Sequence, residues 1–171
     1  MIRATIDSFH NPKKVRYQRG PDSPEGYYFD SFNYEVLKRD LLIPLGPDGD
    51  RHYCPAVFNL KDDVPTNGAW YTAPTNAVLL FDGVFLLRPE LILYWDFSIF
   101  LDVDFHISVS RAVQRDIANG DQKWDSDTLQ KRYERRYVPG QQLYFREARP
   151  QQRASIIVDN NDYLNPVIVK K

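Results

Sequence analysis

The stretch "AVLLFDGVFLL" (residues 77–87) decides the fold class. Ala77–Phe81 is a continuous apolar run that ends in Asp82-Gly83. Such a run reads as a strand buried on both faces, as in a parallel sheet, because an amphipathic strand would alternate. "DFSIFLDV" (96–103) and "SIIVD" (155–159) repeat the pattern, and residues 2–6 read as a short strand. Helical spacing separates them. Val109, Ala112, Val113 and Ile117 predict a helix over 105–118, and Leu129, Tyr133 and Tyr137 predict one after Ser126 that Pro139-Gly140 stops. A short helix is expected at Leu143–Ala148. Ser31 is expected to cap a helix carrying Phe32, Val36, Leu37 and Leu41, ended by Pro44 and Gly46. Residues 11–30 read as a long loop, "HYCPAVFNL" as a hairpin arm and "GAWYTAPTN" as loop. Strands alternating with helices give an α/β fold with a mainly parallel sheet flanked by helices.

Composition narrows the classes. The 171 residues suit one domain, and 43% hydrophobic content with 26% charge makes a core that folds. A net charge of −1 gives no general attraction to nucleic acid or to an anionic membrane, and no RNA-binding motif is present. The single cysteine, Cys54, excludes an internal disulfide and a cysteine zinc cluster, and makes a reducing cytoplasm the simplest location. No apolar run approaches the ~20 residues of a spanning helix.

Three strands lead into acids: Asp7, Asp82 and Asp102. Acids at the carboxyl edge of a parallel sheet can take a proton or hold a cation; singly, each is also an ordinary turn former. Arg111 and Arg115 stand i, i+4 on the polar face of their helix, where guanidinium forks could meet phosphate oxygens or simply face water. His10 follows Asp7 closely and suits either a substrate hydroxyl or a loop hydrogen bond; His52 and His106 read as structural or exposed. Tyr17, Tyr27 and Tyr28 could stack on a planar ring or anchor their loop.

Several segments, in order, carry a resemblance: "IDSFHNP", "RGPDSPEGYYFDSFNY", "VLLFDGVFLLRPEL", "FLDVDF", "SRAVQRD", "RRYVPGQQLYFRE" and "IIVDNND". Together they resemble a bacterial branch of the uridine kinase family, within the uridine kinase and phosphoribulokinase group of P-loop enzymes. The resemblance implies a P-loop NTPase-like fold. It also implies transfer of the γ-phosphate of ATP or GTP to a nucleoside 5′-hydroxyl, with Mg²⁺. Asp7 matches the family's general base and, with Asp82, the surroundings of Mg²⁺. Asp22 matches an aspartate that holds the ribose, with His10, Tyr17 and Phe58 as further acceptor contacts. Arg111 and Arg115 match arginines that close on the phosphates, and residues 119–140 match a mobile lid. Relatives often self-associate, so a homo-oligomer is implied as well.

Two departures stand beside the resemblance. In "YCPAVFNLKDD" (53–63) Phe58 keeps an aromatic contact, but the family's pyrimidine-reading histidine is not evident. No G-x-x-x-x-G-K-[ST] loop occurs in the 171 residues. The expectation is therefore a partial domain without the first strand, P-loop and first helix. Such a chain is expected to bind ATP poorly and to be inactive alone. A non-catalytic relative that binds or regulates is the alternative.

Overall fold

The structure, a computed structural model, describes residues 1–119 and 124–170. The chain resolves into two compact units, Met1–Gly20 with Phe29–Leu86, and Pro21–Tyr28 with Leu87–Lys171. Among the described residues no helix is long and apolar enough to cross a membrane.

The first unit begins with β1 (Ile2–Thr5) and a 3-10 turn over Ile6–Phe9. Short α1 (Lys13–Arg16) follows. The next helix, α2 (Pro24–Asp30), is where the chain passes from one unit to the other. Most of the expected 11–30 loop is thus helical. Pro12 and Pro24 stand at the starts of α1 and α2, where proline's missing N–H costs nothing. The Ser23 hydroxyl accepts from the Gly26 amide at 3.0 Å and caps α2.

Next come α3 (Tyr34–Leu37), a π-helical turn over Lys38–Leu42, and α4 (Ile43–Leu45). The cap of α3 is Asn33, whose Oδ1 accepts from Val36 N–H at 3.1 Å; Ser31 is buried ahead of it and does not cap. Phe32, Leu37 and Leu41 join Ile6, Phe9 and Phe85 among this unit's buried side chains. Two small antiparallel pairs follow: β2 (His52–Tyr53), β3 (Phe58–Asn59), β4 (Val64–Pro65) and β5 (Tyr71–Thr72), paired β2–β5 and β3–β4. Tyr71 and Thr72, expected in a loop, are therefore in a strand. β6 (Leu79–Asp82) then pairs with β1 in parallel, with Thr5 opposite Asp82.

The second unit holds β7 (Ile99–Asp102) and α5 (Phe105–Ala118), the latter spanning the predicted residues. α6 (Ser126–Arg132), a π-helical turn over Tyr133–Tyr137 and α7 (Val138–Ala148) run on without a break. α8 (Pro150–Arg153), β8 (Ile156–Asp159) and β9 (Val167–Lys170) complete it. β8 lies between β7, parallel to it, and β9, antiparallel. The α/β class stands, with a parallel pair in one unit and a mixed three-stranded sheet in the other.

Pro139 does not end its helix. A proline ring clashes with the carbonyl four residues back, and a π turn widens the helix at that point. Both π turns end two residues before a proline, Pro44 in one case and Pro139 in the other. Gly140 lies inside the helix at a point where a Cβ would stand 2.6 Å from the Tyr27 ring.

The expectation of strands buried on both faces is corrected. Val78 and Leu80 are exposed, as are Ile99 and Leu101, at 58% and 57%. Each strand has one hydrogen-bonded neighbour in its unit and packs one face. On β6 that face carries Phe81, whose ring centroid is 6.3 Å from that of Phe9. Ile156–Asp159 is only half-buried throughout.

Candidate active site

Asp7 lies in the 3-10 turn just past β1, not on the strand itself. Its amide donates to Thr5 Oγ1 at 3.4 Å, and its carboxylate is 64% exposed. The turn is tied down on both sides. Val57 N–H donates to Ser8 O at 3.1 Å, and Asn33 N–H donates to Phe9 O at 2.8 Å. Asp82 ends β6 at the same carboxyl edge. Gly83 follows with φ +147°, and a Cβ there would stand 2.1 Å from Ile6 Cγ2. Glycine is required because the chain leaving Asp82 crosses directly over the residue before Asp7.

His10 is anchored beneath Asp7. Its Nδ1 lies 2.9 Å from the Asp7 carbonyl oxygen and 4.0 Å from Asp7 Oδ1. A carbonyl only accepts, so Nδ1 carries the proton in the neutral ring and Nε2 is left as an acceptor. Burial pushes the imidazole pKa below its ordinary value, against the opposing pull of Asp7. The ring packs 4.5 Å from that of Phe32.

His10 and Pro12, which follow this turn, help line a cleft of about 630 Å³. Asn33, Val36, Arg39, Asp40, Val57, Phe58 and Trp70 line it as well. Buried Asp40 is held bidentately by Arg39, at 2.5 and 2.7 Å, so the polar wall has no net charge. The Trp70 ring stacks on exposed His52 at 5.1 Å. Of the predicted acceptor residues, His10 and Phe58 line this cleft, and Tyr17 does not. Tyr17 ends α1, with the Arg16 guanidinium 5.6 Å from its ring. Asn33, Arg39, Asp40 and Trp70 were missed. Trp70 sat in a segment read as loop, and Arg39 and Asp40 carried no reading as a site.

Asp22, Arg111 and Arg115 belong to the second unit. Asp22 is exposed just before the Ser23 cap. The Arg111 guanidinium donates to the Asn160 carbonyl at 2.8 Å and to that of Asn161, so it holds the turn that follows β8. Arg115 contacts Asp116 at 3.1 Å and the Tyr133 hydroxyl at 3.4 Å. That hydroxyl donates to Asp116 at 2.6 Å. Burial, then this bond, pushes the phenol pKa far up, so it remains a donor. Tyr27 packs edge-on against Tyr137 at 4.8 Å and buried Tyr28 lies under Arg88, so both tyrosines are anchors. Asp102 accepts from Gln151 at 3.2 Å. Of the lid segment 119–140, residues 120–123 lie outside the described residues; from Ser126 on it is α6, the π turn and the start of α7.

Among the described residues no group of three or more His, Cys, Asp or Glu is placed to hold a metal. Asp7 and Asp82 offer two exposed carboxylates at one sheet edge. Two hard oxygen donors, with other positions left to water and phosphate, suit Mg²⁺ better than a structural metal.

The chain superposes on a possible uridine kinase from Bacillus stearothermophilus with a TM-score of 0.67. The match covers 91% of this chain and 70% of that one, at 17% identity. The fold is kinase-like. No family model matches the sequence, and no curated protein does. The likeness is therefore one of fold.

Proposed function

We propose that this protein is a uridine kinase-like phosphotransferase acting on the hydroxyl of a nucleoside or a similar small alcohol. One observation carries the reading: His10, whose ring nitrogen is bonded to the Asp7 carbonyl, lines a partly apolar cleft whose Arg39–Asp40 pair leaves it without net charge. An acceptor in that cleft would bring its hydroxyl to Asp7, which takes the proton as the oxygen bonds to phosphorus and the bridging bond to the leaving diphosphate breaks. ATP or GTP is the proposed donor. Mg²⁺, held by Asp82 and Asp7 together with phosphate oxygens, would supply charge neutralisation. Arg111 and Arg115 at the start of the 119–140 lid would act on the phosphates, and the lid would exclude water.

A second reading, a non-catalytic binding module, is favoured by one observation: the Arg111 guanidinium is engaged by backbone carbonyls. Calorimetry with uridine and cytidine, alongside a γ-phosphate transfer assay, separates the two. The kinase reading expects binding and transfer, with Asp7→Asn keeping the first and losing about 10²–10⁴-fold of the second. Binding without transfer in the wild type selects the module. Transfer unchanged in Asp7→Asn removes Asp7 as base.

A further inference from the structure

The tip of the β3–β4 hairpin is tied to α1 by one side chain. Asp63, at its tip, has both carboxylate oxygens on the Lys13 amide, at 3.0 and 3.1 Å, and one on Arg16 Nη2 at 2.6 Å. Lys13 follows Pro12, which lines the cleft, and Phe58 and Pro65 line it from the hairpin's base. The hairpin's base is anchored, by the Val57 amide on Ser8 O at 3.1 Å, the Thr66 amide on Val57 O at 2.9 Å and buried Phe58, but the ladder beyond it is short. Its ladder is two residues per strand, Phe58 with Pro65 and Asn59 with Val64. A ladder that short is marginal in water. Its tip, by contrast, is stiff. The Asn59 side chain accepts from the amides of Lys61 and Asp62 and donates to the Asp62 carboxylate. A stiff tip on a weak ladder moves as one piece when its far end is released. Asp63 reaches α1 from a left-handed conformation, φ +55°, so the tip is shaped to present its carboxylate there.

We infer that Asp63 is the clasp of a strap, and that its bonds to Lys13 and Arg16 keep the β3–β4 hairpin closed over the cleft. Release of the clasp lets small molecules in and out. That the cleft receives a phosphoryl acceptor rests on the function proposed above; the clasp itself does not.

Cys54 supplies a reporter. It is the chain's one cysteine, it is buried, and it lines the cleft. Its rate of alkylation by iodoacetamide therefore reads opening without any substrate. Asp63→Asn keeps the shape and tolerates the left-handed backbone while removing the charge. It should raise the alkylation rate about tenfold, because charge-assisted bonds are roughly twice as strong as neutral ones. Arg16→Met should do the same from the other side. The increase should not depend on urea below the unfolding transition, and 0.5 M NaCl should speed wild type but not Asp63→Asn. An unchanged rate, or one that rises with urea as global unfolding does, overturns the proposal. Stopped-flow binding of uridine is the second arm, where Asp63→Asn should raise the on- and off-rates together. If uridine does not bind wild type, the nucleoside reading fails and alkylation still decides the clasp.

Discussion

Gly83→Ala tests the close crossing of the chain after Asp82 over Ile6, the residue before Asp7. Gly83 has φ +147°, a conformation that side-chain-bearing residues rarely adopt. An added Cβ would stand 2.1 Å from Ile6 Cγ2 and 2.7 Å from Ile6 Cβ, where ordinary contact begins near 3.4 Å. Ile6 is fully buried and precedes Asp7, so it has little room to retreat. Backbone strain of this kind costs about 1–3 kcal/mol. Overpacking a closed core adds about 1–3 kcal/mol. The sum, roughly 2–6 kcal/mol, is a large part of a typical domain stability of about 5–15 kcal/mol. Urea unfolding followed by circular dichroism should show that loss, or a chain already partly unfolded in buffer. Ile6→Ala alone should cost about 2–5 kcal/mol. The double variant should cost less than the sum, because removing the Ile6 branch vacates the space that the new methyl needs. A Gly83→Ala loss below 1 kcal/mol, or strict additivity with Ile6→Ala, would refute the close crossing.

Two further outcomes follow from burial and charge. His10 has its pKa lowered in the folded state, chiefly by desolvation, so the native protein binds that proton less readily than the unfolded chain. Its contribution is intact above the unfolded value near 6.5 and is lost as pH falls from there through the native pKa. Urea midpoints measured between pH 7.5 and 5 should therefore fall less steeply in His10→Gln than in wild type, and equal slopes would show that His10 carries no such linkage. Among the apolar residues, Leu91 is fully buried whereas Ile99 is mostly exposed. Leu91→Ala should cost about 2–5 kcal/mol and Ile99→Thr about 0.5 kcal/mol, as read from the same unfolding curves; comparable losses would mean that the outer face of β7 is covered.

Much of the secondary structure was legible because it follows local rules. The 3.6-residue spacing of Val109, Val113 and Ile117 marks a helix wherever it packs, and α5 spans the residues it predicts. Apolar runs likewise located β6, β7 and β8. The candidate acids were legible for the same reason, since Asp7 and Asp82 follow apolar runs toward a sheet edge. Helix boundaries that depend on proline were not. A proline near a helix start and one inside a helix look alike in one dimension. The π turns that admit Pro44 and Pro139 exist only once the surrounding helix has formed.

By itself, then, the sequence determined the α/β class, the location of its main helix and strands, and the acids at their ends, because each depends on neighbours a few residues away. Tertiary structure alone decided the rest. It left Ile99 and Leu101 on an exposed face, because a strand's burial depends on what lies beside it and not on its own composition. It turned Arg111 toward the carbonyls of Asn160 and Asn161. It joined His10, Asn33, Arg39 and Trp70 into one cleft and tied Asp63 to Lys13 across 50 residues of chain. Such contacts require the chain to close on itself, and no local pattern records them.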